Sequence, residues 1–74
     1  MMKMVTTVMC IVEFAESIAD ANRLINQFAV RIDGELVDSI DAFVPCSCFL
    51  LEVGKSQKAN VTIGPRGVRW TNAV

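Results

Sequence analysis

The chain of 74 residues contains no histidine and no tyrosine. Without histidine there is no imidazole acid or base and no Ser-His or Cys-His nucleophile pair. The commonest transition-metal ligand is missing too. Carboxylates remain, but Glu13, Glu16, Asp38 and Asp41 stand at no spacing that singles them out. They read as solvated surface, so no catalytic residue and no enzyme activity is expected. Long apolar runs are also lacking. The stretch Met4 to Val12 is far short of the about 20 residues a bilayer-spanning helix needs. Ala19-Asp20-Ala21 mimics a leader cleavage site, but Glu13 and Glu16 stand where a leader avoids charge. Cysteine is scarce, three residues without a disulfide-framework spacing, which suits a reducing compartment. A cytoplasmic location with no membrane association is expected.

What is present begins with hydrophobicity. The apolar fraction is 53% and the mean hydropathy +0.44, so a chain this short should bury most of its side chains in one domain, residues 1–74. All eight acids lie between Glu13 and Glu52, with only Arg23 and Arg31 among them. From Val53 onward Lys55, Lys58, Arg66 and Arg69 stand without an acid. A basic segment with Trp70 fits nucleic acid in principle. Four charges on turns and strand edges read better as solvated surface, and nucleic acid is not expected.

Two motifs invite chemistry. Cys46 and Cys48 suggest a metal or a redox couple, but a structural zinc almost always takes four ligands, and Cys10 is the only other thiol. Cysteine is commonly buried as a small apolar residue, and no metal or cofactor is expected. Gly54-Lys55-Ser56 matches the end of a phosphate loop. The glycine that such a loop needs five residues before Gly54 is Phe49 here.

The β-branched stretch from Met4 to Phe14 reads as a buried first strand. From Glu16 the period changes. Ile18, Ala21, Leu24, Ile25 and Phe28 fall at helical spacing, which predicts an amphipathic helix over 16–28. Val30 to Leu36 alternates as a strand, and two turns are open: a hairpin at Asp33-Gly34, or a turn at 37–39 with Ile40 to Ala42 returning. Pro45 to Val53 reads as a short buried helix capped by Gly54. "SQKA" reads as a loop, "NVTI" as a strand, "GPRG" as a turn and "VRWT" as an edge strand. The order is that of an α+β open-faced β-sandwich, β-α-β-β-α-β, an antiparallel sheet with helices on one face.

Laid end to end, residues 5–63 resemble the HPr-like family, the small phosphocarriers of the bacterial sugar phosphotransferase system. Phe28 ends the first helix as in that family, and "IDAFVPCSCFLLEVGKS" runs without gaps against the second helix and its exit. The resemblance implies the HPr-like fold with its third helix missing. It also implies the functional positions: the phosphorylated histidine falls on Phe14, the phosphate-binding arginine on Glu16, and the regulatory serine on Val44, with Ser47 one turn on. Phosphate transfer by the family's chemistry is therefore not expected. The implied role is regulatory protein binding through Phe14, Glu16, Phe43, Val44 and Ser47. A protein partner is expected, and self-association is a second expectation. The rival reading is an ACT-like or ferredoxin-like dimeric module binding a small molecule.

Overall fold

A computed structural model describes residues 3–73 and gives a two-layer α+β fold. Two helices, α1 (Val5–Ile11) and α2 (Ile18–Asn26), precede five strands: β1 (Val30–Ile32), β2 (Glu35–Leu36), β3 (Cys48–Val53), β4 (Gln57–Gly64) and β5 (Gly67–Asn72). The strands form one open antiparallel sheet in the order β2-β1-β3-β4-β5. Both helices pack on one face. Val5, Val8, Met9 and Val12 meet Ala21 and Ile25, and all of them cover Val30, Ile32, Phe49, Leu51, Val53, Ala59 and Val61.

The expected open sheet with helices on one face is therefore found. The expected order β-α-β-β-α-β is not. The first correction falls on the segment read as strand 4–14, which is helical. Its buried residues Val5, Val8, Met9 and Val12 stand at i, i+3, i+4 and i+7, one helical stripe. Thr6 is buried beside that stripe, and Thr7, Cys10 and Ile11 hid the period, because β-branched and apolar residues also occupy the other face.

The second correction falls on Pro45 to Val53, read as a helix. Phe49, Leu51 and Val53 are buried while the residues between them are more open, the period of a strand. This strand is the centre of the sheet, with β1 on one side and β4 on the other. Leu50 masked the alternation, being an apolar residue on the open face. Gly54 is not a helix cap. At φ 66° it starts the tight β3–β4 turn, and its N–H donates to the Ala29 carbonyl at 2.7 Å.

The remaining elements follow the sequence closely. Ser17 caps α2, its hydroxyl accepting from the Asp20 N–H at 3.1 Å. The apolar stripe predicted for that helix is narrower than expected, since Ile18 and Phe28 are exposed. Of the two turns left open, the chain uses Asp33-Gly34: Ile32 pairs with Glu35, and φ is 51° at Asp33 and 85° at Gly34. That hairpin sends Leu36 to the face opposite Ile32. Residues 40–42 do not return as a strand; one bridge, Met4 to Phe43, ties this segment to the start of α1. "SQKA" is largely strand, because β4 starts at Gln57. "VRWT" is the edge strand β5, joined to β4 by the turn at Pro65-Arg66.

Both helices end in the same way. Beyond α1, Glu13 lies at φ 66°, the Phe14 N–H donates to the Met9 carbonyl and the Glu13 N–H to the Cys10 carbonyl. Beyond α2, Phe28 lies at φ 58°, with Ala29 donating to Leu24 and Phe28 to Ile25. These are Schellman ends, in which glycine is the usual left-handed residue. Here a glutamate and an aromatic take that position.

Candidate functional site

The five residues aligned to the family's partner face do not form one surface. Phe43 and Val44 lie at the start of α1, where the Val5 N–H donates to the Ala42 carbonyl and the Val44 N–H to the Lys3 carbonyl, each at 2.9 Å. Phe14 lies beyond the other end of that helix, which is about 10 Å long at 1.5 Å per residue. Phe14 is half-buried against the core and lines a small depression with Ser56, Gln57, Lys58 and Asn72. Glu16 is exposed, its N–H donating to Asp20 Oδ2 at 3.1 Å. Val44 is core, at 2% exposure, while Phe43 is 58% exposed and Ser47 is open to solvent. Phe43 alone among the five offers a large apolar surface.

Around Phe43 the structure assembles more than the alignment did. A depression of about 180 Å³ wraps the β2 edge, lined by Leu36, Ala42, Phe43 and Pro45 over Val5, Ile32 and Val37. Leu36 is 41% exposed, and Ile40 stands out from the loop beyond it. Glu35 and Asp38 line the same depression, and Asp41 lies on the loop beside it. This is an apolar patch with an acidic rim. The signal lay in "ELVDSIDAF", where apolar and acidic residues interleave. The sequence hides it, because Val30 to Leu36 alternates as a strand and one of its two open turns returns Ile40 to Ala42 as another.

The opposite edge of the sheet has the other sign. Trp70 shares the helix-covered face with its β4 partner Val61, but the helices stop short of it. Arg69 precedes it on the strand, Arg66 lies in the turn, and a shallow depression of about 500 Å³ runs along β5 past Asn60, Thr62, Val68, Arg69 and Thr71. The open face between the edges is polar, with Lys58 Nζ 3.8 Å from Glu52 Oε2.

The cysteines do not gather. Cys10 is half-buried against the core, while Cys46 and Cys48 are exposed rather than core. The Cys46 thiol donates to the Cys48 carbonyl at 2.8 Å, and Cys48 Sγ lies 3.9 Å from Thr62 Oγ1. Among the described residues no three groups of ligating type stand together. Lys55 and Ser56 sit in the β3–β4 turn, where no helix follows to cradle phosphate.

One carboxyl is clearly perturbed. The Arg23 guanidinium hydrogen-bonded to Asp20 holds it below its ordinary value of 3.8, helped by the Glu16 N–H. It belongs to the cap of α2 and not to a reactive centre. Among the described residues no helix is long and apolar enough to cross a membrane. No protein-family model, curated protein or solved structure matches the chain.

Proposed function

We propose that this domain is a protein–protein interaction module that docks a partner through the acidic-rimmed patch of Leu36, Ile40 and Phe43, without chemistry of its own. The observation that carries the reading is Phe43. A phenylalanine 58% exposed, beside a depression walled by Leu36 and Pro45, leaves apolar surface that burial in a partner would remove from water. The acidic rim favours a partner that brings basic groups around an apolar anchor.

The narrower reading, an HPr-like regulator that has lost phosphate transfer and works in the cytoplasm, rests on the sequence pattern of residues 5–63. The element order of two helices followed by five strands is not that family's, so the patch and not the resemblance supports the proposal. The free state of all three cysteines suits the cytoplasmic part of it.

Affinity capture with the folded protein, compared with Phe43→Asp and with Lys55→Glu as a surface control, tests the reading. A partner held by the wild type and the control but lost by Phe43→Asp is expected. Partner binding that survives Phe43→Asp and Leu36→Asp alike would overturn it.

A further inference from the structure

The two edges of the sheet complement each other. At the β2 edge lies the apolar depression with Glu35, Asp38 and Asp41 around it. At the β5 edge Trp70, 38% exposed, follows Arg69 on the strand, with Arg66 in the turn before it. Between Arg31 and Lys55 the chain carries five acids and no base; after Val53 it carries four bases and no acid. We propose that the partner of the Phe43 patch is a second copy of this chain, which seats its Trp70 in the depression head to tail. This inference rests on the functional reading above and names its partner.

Three observations select this occupant. The depression, about 180 Å³, is smaller than the roughly 300 Å³ at which small-molecule sites begin, and suits one side chain. Next, charge favours unlike edges: patch against patch brings Glu35 and Asp38 against acids, whereas the β5 edge brings Arg66 and Arg69. The head-to-tail contact sets these arginines against carboxylates and brings an aromatic anchor to the depression. Last, β5 is a six-residue edge without proline, whereas β2 has two residues. Pairing of β5 with a partner's β2 is therefore short, and side-chain docking carries the head-to-tail contact. Such an interface is heterologous, so it grows with concentration instead of stopping at a symmetric pair.

Sedimentation velocity over a concentration series tests this, using wild type, Phe43→Asp and Trp70→Asp, with Arg69→Glu as a milder variant. The wild-type mass should rise with concentration at low salt, and raising the salt should weaken association by about tenfold. Each Asp variant alone should remain monomeric. An equimolar mixture of the two should form a one-to-one dimer and nothing larger, because one keeps the tryptophan and the other keeps the patch. Arg69→Glu should weaken association while circular dichroism stays native. A Phe43→Asp variant that still dimerises alone would place the contact between β5 edges and overturn the proposal. A wild type monomeric at every concentration would also overturn it, and would leave the capture of a different protein by the patch as a separate question.

Discussion

Asp33 clasps Leu50 at two points: its N–H donates to the Leu50 carbonyl and its Oδ1 accepts from the Leu50 N–H, each at 2.9 Å. The turn of the β1–β2 hairpin is thereby fastened to the central strand, across 17 residues of chain. The β2 edge, and with it the Phe43 depression, hangs from this hairpin. Asp33 also lies in the left-handed region, which asparagine tolerates and alanine does not. Asp33→Ala should lower stability by about 1 kcal/mol, since it removes the exposed hydrogen bond to the Leu50 N–H and puts alanine in the left-handed region. Asp33→Asn should lose clearly less. Denaturant midpoints of the two variants check the order.

The Schellman ends of α1 and α2 carry a removable cost. Glu13 and Phe28 both hold positive φ and both are exposed, so neither gains packing in return. Glu13→Gly and Phe28→Gly should each raise stability by about 1 kcal/mol, the cost of a left-handed non-glycine residue. A rise in the denaturation midpoint with unchanged slope is the expected signature.

The cap of α2 gives a mutation and a pH effect. Ser17→Ala should cost about 1 kcal/mol, the usual loss when a capping hydroxyl goes. The Asp20 carboxyl is held below 3.8 by Arg23 first and the Glu16 N–H second. A folded value below the unfolded one means its contribution is present above about pH 3.8. That contribution is lost as pH falls through the lower folded value. Asp20→Asn should therefore flatten the acid limb of the stability–pH curve, and added salt should do the same because the group is exposed. Unfolding midpoints taken stepwise below pH 5 would show it.

Thiol accessibility distinguishes the observed β3 from the helix expected over 45–53. Cys46 and Cys48 are exposed and Cys10 is half-buried in α1. Two thiols should react quickly with a neutral maleimide in the native protein and the third should lag. Peptide mapping should place the slow one at Cys10. Burial of Cys46 or Cys48 would contradict the strand and its open face.

How much of this was legible depended on how cleanly each segment separates its faces. Ile18 to Ile25 has a capping serine and a polar side, and α2 falls inside the expected 16–28. "GPRG" has turn chemistry no helix accepts, and the β4–β5 hairpin follows. The segment at 5–11 spans only seven residues with apolar groups on every side, so strand and helix periods both fit until neighbours choose. Leu50 hid the alternation of β3 in the same way. Of the site, Phe43 was named as a helix start through the resemblance; it lies instead at an isolated bridge to Met4, and its ring is exposed. Trp70 and Leu36 needed the sheet order before their edges could be recognised.

The chain's single tryptophan reports directly on the central claim, that the Phe43 patch and the Trp70 edge are docking surfaces for each other. Trp70 emission should shift to shorter wavelength as protein concentration rises, as its half-exposed ring leaves water. The shift should reverse in high salt and be absent in Phe43→Asp. An emission maximum that stays constant over the whole concentration range, and is the same in wild type and Phe43→Asp, would contradict the account.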